Sequence, residues 1–325
     1  MRDVATANWL AELDGRRVTV EVPASSANLG AGYDCLGVAL ALTNEVEVEV
    51  RSWSAGAIEL TVEGEGRDEL TDGRDNRFVR GLEAALVDVR GALPDGVGWR
   101  ITMRNRIPLA RGLGSSAAAT VAGVVAADAL LGGALDAASK LRIATTVEGH
   151  PDNAAAALMG GFVVAAGTSD DGVEAVRFDV PRDLRAVLFI PGLRLSTGAM
   201  RDALPKRVPL ADAVANLGAV GLGVAGLAAG RTDLLRLMTV DRLHEPYRAT
   251  IYPQLPALVG AARAAGALGA CLSGAGSAII AFTDSMAGIT RIEAAFAAAA
   301  ADTDLPGRIS VVQPRNAGAR VVAKG

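Results

Sequence analysis

Three groups of residues have the types and spacing for chemistry. The first is Pro108 to Thr120, PLARGLGSSAAAT. Gly112 and Gly114 can take positive φ and leave room for a close backbone approach. Ser115 and Ser116 can cap the small-residue helix predicted over Ala117 to Leu131. The first N–H groups of such a helix lack internal partners and point outward, where a phosphate can accept from them. A serine hydroxyl can also lend an oxygen to Mg²⁺ held by that phosphate. A plain turn with a serine cap could use any one of these residues. Two glycines and two serines between a strand and a helix favour an anion site. The Walker pattern fails, because no Lys follows the second Gly. Gly112 to Ala117 does fit GxGxxG/A, the dinucleotide fingerprint. That fingerprint expects a strand after the helix, whereas Ala137 to Thr146 reads as another helix.

The second group lies in VEGHPDNAAAALMGG, Val147 to Gly161. Pro151 can open a helix, and Asp152 favours its N-terminus. Helix-end chemistry does not account for Glu148, His150, Asp152 and Asn153 gathering in an Ala-rich region. One His without a neighbouring Cys makes a poor zinc set, while a hard cation suits Glu148. The third group is ASSANLGAGYDCLGVAL, Ala24 to Leu40, read equally well as a loop entering a strand or as a binding loop offering Asn28 and Asp34. Further along, GACLSGAGSAIIAF, Gly269 to Phe282, reads as a second strand, glycine loop and strand, preceded by a Pro-interrupted stretch holding His244 and Arg248.

The rest of the chain must position these groups. At 325 residues it has room for two domains or one large one, with ample core. Hydrophobic residues make up 50% and aromatics only 4%, so helices should pack closely through small residues. A net charge of −4 with no basic block argues against a nucleic-acid partner. Cys35 and Cys271 read as free, buried thiols in a reducing compartment. The leader MRDVATANWLAELDG lacks the apolar core of a signal peptide. Ala213 to Gly230 carries no charge and approaches the minimum length of a membrane span. Its glycines and Asn216 favour a buried, closely packed helix, so no membrane partner and a cytoplasmic location are expected.

Val18 to Pro23 and Asn44 to Arg51 alternate as strands, the latter with Val on one face and Glu on the other. Ala57 to Val62 should pair with Asn44–Arg51. Asp68 to Asp75 is a polar loop, Arg77 to Val89 a helix burying Phe78, Leu82 and Leu86, and Trp99 to Asn105 a strand. Asp136 to Val147 is a helix. Strands follow at Gly161–Ala166, Val173–Asp179 and Arg185–Ile190, with the inter-domain crossing expected at Gly167–Gly172. A helix over Thr197–Leu204, a helix pair over Leu210–Met238, a helix over Met286–Ala300 and a last strand over Arg308–Gln313 complete the reading. Strands and helices mix without regular alternation, which predicts an α+β fold.

PASSANLGAGYDCLGVAL, PLARGLGSSAA, EGHPDN and LSGAGSA, in this order and spacing, resemble the GHMP family of small-molecule kinases, and within it the branch acting on homoserine. The likeness runs from about Val18 to Val322. GLGSSAA is shared by the wider family, and PASSANLGxGYD with EGHPDNAA is the narrower sign. The resemblance implies a two-domain α+β fold. Residues 1–168 would form a ribosomal-S5-like, ATP-binding half, and residues 169–325 a ferredoxin-like half, with the active site between them. It implies transfer of the ATP γ-phosphate to the hydroxyl of L-homoserine, with Mg²⁺. Pro108, Leu109, Ala110 and Arg111 would lead into the ATP site, and Gly112, Leu113, Gly114, Ser115, Ser116 and Ala117 would wrap the phosphates. Asn76 would touch adenine. Ser116 and Glu148 would hold Mg²⁺, with Thr197 near it. Asn28, Asp34, His150, Asp152, Arg201 and Arg248 would grip homoserine, with Gly274 closing over it. Asp34 or Asp152 suits the ammonium, and Arg201 or Arg248 the carboxylate. An exposed salt bridge is the alternative for either arginine.

Asn153 stands where many relatives have an Asp base. An amide cannot take a proton, so the resemblance implies catalysis by positioning and charge neutralisation, with Asn153, Arg201 and Glu148 as the catalytic set. Phosphoryl transfer tolerates this, and alignment alone can contribute roughly 7–11 kcal/mol. The second loop departs from the usual GxGPS by reading Gly274-Ala275-Gly276-Ser277-Ala278. Competing readings are a kinase for mevalonate, a sugar or shikimate, a non-catalytic sensor of ATP or an amino acid, and an NAD-dependent oxidoreductase. Relatives are commonly homodimers, and the sequence does not fix the assembly here.

Overall fold

The computed structural model describes residue 9 and residues 12–51, 56–70, 73–94, 96–169 and 172–325. Most of the leader therefore lies outside the described residues.

Period-two patterning builds the first sheet. β1 (Arg17–Ala27) and β2 (Leu36–Arg51) pair antiparallel, with Val18 opposite Val48 and a register shift at Pro23/Ala24. Val46, Val48 and Val50 enter the core. The glutamate face is not uniformly wet, because Glu49 is buried beneath Arg17, Arg51 and Arg100. β3 (Ile58–Gly64) does not pair with β2 as expected. It runs parallel to β4 (Gly98–Asn105), which itself lies antiparallel on β2. The reason is the intervening α1 (Arg77–Arg90): a helical crossover returns the chain parallel, and β1 and β4 already flank β2. β5 (Phe162–Gly167) joins the start of β2, and β6 (Val173–Phe178) joins β5. The two strands on either side of the expected crossing, β5 and β6, thus pair in one sheet, and the crossing to the second sheet follows Phe178. β11 (Arg320–Lys324), a strand absent from the sequence reading, returns to pair antiparallel with β1.

The second sheet is antiparallel, in the order β10 (Gly307–Val312), β7 (Arg185–Pro191), β9 (Ile279–Thr283), β8 (Gly269–Leu272). α9 (Leu255–Ala264) and α10 (Met286–Asp302) close its core with Leu255, Leu258, Ile289, Ile292 and Phe296. The first sheet is covered by α1, α2 (Ser115–Leu130), α3 (Ala137–Glu148) and α4 (Asp152–Met159). Small residues do set the helix spacing. A Cβ on Gly123 of α2 would fall 2.1 Å from Phe78 O, and one on Gly81 of α1 would fall 2.2 Å from Thr120 O.

Two expectations need correction. α6 (Leu210–Ala228), which follows the short α5 (Thr197–Asp202), is not buried all round. It packs inward through Asn216, Gly223, Gly226 and Leu227, while Leu210, Val214, Leu217 and Leu222 are 80, 57, 72 and 51% exposed. Its glycines lie on both sides and do not enforce burial. By length and composition alone this helix could cross a membrane. Of the two free thiols, Cys271 is buried, but Cys35 is only half-buried.

Candidate active site

The phosphate loop takes its shape from glycine. Gly114, at φ +69°, is itself the residue that opens α2. Ser115 and Ser116 are the first two helical residues rather than caps, because the left-handed glycine makes the turn without a side chain. That leaves their hydroxyls free for other partners. Gly112, at φ +68°, lies so close to the second glycine loop that a Cβ there would sit 2.0 Å from Ser273 O. The two loops are stitched together: Ser273 Oγ lies 2.7 Å from Gly112 O and 2.8 Å from Ser26 Oγ, and Ala278 N donates to Arg111 O. The end of β1 joins them, with Ser25 N donating to Leu113 O and Gly274 N to Ala27 O. The Arg111 guanidinium donates to Pro191 O and Gly192 O at 2.9 Å each, bracing the loop against β7.

Glu148 ends α3 beside this loop. Its carboxylate accepts from Ser116 Oγ at 2.8 and 3.0 Å and from Thr120 Oγ1 at 2.6 Å, with Arg77 Nη1 at 3.6 Å. Ser116 and Thr120 are one turn apart on α2, which aims both hydroxyls the same way. Thr197, at the start of α5, lines the same cleft. These are hard oxygen donors. Among the described residues no cluster of three or more His, Cys, Asp or Glu could hold a metal ion. One carboxylate and one hydroxyl beside a phosphate loop fit Mg²⁺, which usually takes few protein ligands and completes its shell with phosphate and water.

The far end of the cleft is charged. Arg201 grips Asp34 with both terminal nitrogens, at 2.7 and 2.8 Å, and donates to the Tyr33 hydroxyl at 2.8 Å. Asp34 N donates to Asn28 Oδ1, and Asn28 Nδ2 donates to Gly274 O, tying the Asn28–Asp34 loop to the second glycine loop. The hydrogen bond with Asp34 raises the Arg201 pKa. Arg248 closes the short α8 (Glu245–Arg248), which follows α7 (Leu235–Met238). It is buried, and burial lowers its pKa. It donates to Gly274 O and Met200 O. His150 Nδ1 lies 2.8 Å from Asp152 Oδ1, and this hydrogen bond raises the His150 pKa against the pull of burial. Asn153 Oδ1 accepts from Ser25 Oγ at 2.8 Å, and its backbone N–H donates to Asp152 Oδ1.

One cleft of about 360 Å³ gathers Asn28, Asp34, Pro108, Ala110 to Ala117, Glu148, His150, Asp152, Asn153, Thr197, Arg201, Arg248 and Gly274. An adjoining cavity of about 430 Å³ shares Arg77, Ala110, Ser115, Ser116 and Thr197 with it. Val22, Val46, Leu70, Met103 and Ala119 give this second space apolar walls, with Leu109 and Asn76 on its rim. Asn76 Oδ1 is engaged in capping α1 at Phe78 N. Every site residue that the resemblance implies thus lines one of these two adjoining cavities. The sequence reading missed Tyr33, Ser25, Arg77 and Thr120. Only Thr120 carried a signal, its spacing of four from Ser116.

Comparison with known proteins agrees with this geometry. The GHMP kinases N terminal domain family matches residues 77–161, and the GHMP kinases C terminal family matches residues 213–302. Homoserine kinase of Moorella thermoacetica is 41% identical over 93% of this chain and 99% of its own length. That of Prochlorococcus marinus is 42% identical over 82% of this chain and 84% of its own length. The crystal structure of homoserine kinase from Cytophaga hutchinsonii superposes with a TM-score of 0.82 at 31% identity, covering 94% of this chain and 97% of that one. A mevalonate kinase of L. major shares the fold at 16% identity and a TM-score of 0.62 over 92% of this chain and 95% of that one. With both halves matched and such relatives spanning nearly its whole length, the chain belongs to the GHMP kinases, in the branch of the homoserine kinases.

Proposed function

We propose that the protein transfers the γ-phosphate of ATP to the hydroxyl of L-homoserine, giving O-phospho-L-homoserine and ADP, a step toward threonine. The observation that carries this reading is the pairing of two features in one cleft. A glycine-and-helix phosphate cradle faces a wall that offers both carboxylates and guanidiniums, the complement of a zwitterionic amino acid. The first turn of α2 and Gly112 to Ala117 receive the phosphates, and the apolar cavity beside Asn76 receives the base. Ser116 and Glu148 hold Mg²⁺, with Thr197 beside them. When bound, the ion neutralises charge on the phosphates and fixes their orientation.

The acceptor is held by its ends. Asp34 and Asp152 serve the ammonium, Arg201 and Arg248 the carboxylate, and Asn28, His150 and Gly274 shape the pocket. Asn153 has no proton-accepting capacity, and its oxygen is already engaged by Ser25 Oγ. It aligns the acceptor rather than acting as a base, and the hydroxyl proton leaves to a phosphate oxygen or to water. A loose transition state requires little more than that alignment.

The test is ADP release with Mg²⁺-ATP and L-homoserine, beside L-serine, L-threonine, mevalonate and galactose. Turnover on homoserine alone is expected. Turnover on another alcohol would keep the phosphate site and overturn the assignment of the charged wall. ATP binding without turnover would favour a sensor. The net charge and the biosynthetic reaction support a cytoplasmic enzyme without a nucleic-acid partner. The uncharged outer face of α6 supports a homodimer, for which sedimentation of the wild type beside Leu217→Glu is the measurement.

A further inference from the structure

His244 is one of only two histidines in the chain, and the reaction described above does not use it. It is fully buried, 5.3 Å ring to ring from Tyr33. Its two nitrogens have partners of opposite character. Nε2 lies 2.7 Å from Gly30 O, which can only accept. Nδ1 lies 3.0 Å from Arg248 Nη1, which can only donate. One proton, on Nε2, satisfies both contacts, and a second on Nδ1 would oppose the guanidinium N–H. Asp241 Oδ2, 3.6 Å from Nε2, favours the charged ring, but burial and the guanidinium at Nδ1 outweigh it, lowering the pKa to about 4 and holding the ring neutral.

Arg248 is the group this ring touches, and its situation differs from that of Arg201. Arg201 is already neutralised by Asp34. Among the described residues Arg248 forms no ion pair with a carboxylate. Its partners are the carbonyls of Gly274 and Met200, the Nδ1 of His244, and the face of Tyr33 at 5.4 Å. Each supports the guanidinium without cancelling its charge. A carboxylate at position 244 would bind the arginine more strongly and would take the charge meant for a ligand.

We propose that His244 is a positioning residue for the substrate carboxylate: as a fixed neutral acceptor tied to Gly30, it aims the Arg248 guanidinium while leaving its full charge to the ligand. This rests on the homoserine reading above. Gly30 belongs to the same loop as Asn28 and Asp34, so the ring also couples the aim of Arg248 to the segment that receives the ammonium. The division of labour between the arginines follows: Arg248 is the anion anchor, and Arg201 is shared with Asp34.

The experiment uses two variants and two ligands. Asn at position 244 can place its oxygen near the position of Nδ1 and keep the contact with Arg248. Gln reaches toward Gly30 and loses that contact. His244→Gln is expected to raise KM for homoserine by about tenfold, the usual weight of a hydrogen bond to a charged group, with kcat and KM for ATP within about threefold. His244→Asn is expected to recover most of that loss. The second ligand, 3-aminopropan-1-ol, is homoserine without its carboxylate. In wild type its affinity, measured by competition, should fall far below that of homoserine, and in His244→Gln that gap should narrow by about fivefold or more. Thermal unfolding of each variant separates folding from aim. An unchanged gap, or KM for both substrates rising together, overturns the proposal. If wild type binds neither homoserine nor the amine, the substrate reading has failed instead.

Discussion

Replacing Gly112 with alanine tests the seam between the two glycine loops. The added Cβ would lie 2.0 Å from Ser273 O, 2.7 Å from Gly276 N and 3.0 Å from Gly276 Cα. All three are backbone atoms, so no side chain can swing aside. The residue must also keep φ near +68°, which costs a non-glycine residue about 1–2 kcal/mol. Overpacking adds about 1–3 kcal/mol. Together the variant should lose about 2–5 kcal/mol, which for a chain of this size lowers Tm by about 3–7 °C. Activity should suffer more than stability, because a shift of about 1 Å in a reacting group can cost about a hundredfold. Gly132 supplies the control: it has φ +77° and nothing within 4 Å of its would-be Cβ, so Gly132→Ala carries the backbone cost alone. Calorimetry and steady-state kinetics on both variants give the contact contribution as the difference. Equal loss of stability in the two, or Gly112→Ala turning over at the wild-type rate, would refute the reasoning.

Glu148→Gln should lower kcat/KM by about a thousandfold or more and weaken the dependence on Mg²⁺ concentration, since it removes the carboxylate that Ser116 and Thr120 hydrogen-bond; a variant turning over at the wild-type rate would remove Glu148 from the site. The two histidines should titrate in opposite directions by NMR, His150 above its usual value because of Asp152 and His244 near 4 because of burial. The linkage signs follow: His150 contributes stability that is full below pH 6.5 and fades as pH rises through its folded pKa, whereas His244 contributes stability present above pH 6.5 and lost as pH falls toward 4. Comparing unfolding of His150→Gln with wild type at pH 6 and pH 9 should show the larger deficit at pH 6. A thiol reagent should label Cys35 well before Cys271, whose thiol is fully buried with its pKa pushed up by desolvation; equal rates would contradict the packing of β8.

The gathering of the candidate site residues in one cleft was more legible than the path of the chain. Gly112, Gly114, Ser116, Glu148 and Asp152 announced themselves because few structural duties call for those types at those spacings. The pairing of β3 was not legible, since period-two alternation fixes which face is buried and says nothing about which edge is joined. β11 escaped because only Arg320–Lys324 form it, with most of their side chains exposed and no buried run to mark them. The outer face of α6 was misread because an uncharged, small-residue helix looks the same in sequence whether packed on one side or both. Tyr33 was passed over for a different reason, since it matters through Arg201 and Arg248, far away in sequence; His244 was noted beside Arg248 but drew no role, because its tie to Gly30 spans 214 positions. The missing Pro of the second glycine loop, by contrast, did not prevent close docking, because Ser273 and Ala278 anchor the loop to Gly112 and Arg111.

The return of β11 to β1 has a consequence for synthesis. β1 and β2 leave the ribosome well before β11, so β1 gains its outer neighbour only when residues 320–324 emerge. At about 5–20 residues per second, the roughly 270 residues between β2 and β11 take on the order of 10–60 s to make. Throughout that interval the outer edge of β1 is unpaired, the kind of edge that templates pairing with another chain. The whole second sheet and its phosphate-loop contacts are translated inside this window. A chaperone that shields the outer edge of β1 would therefore act before the chain has a complete active site.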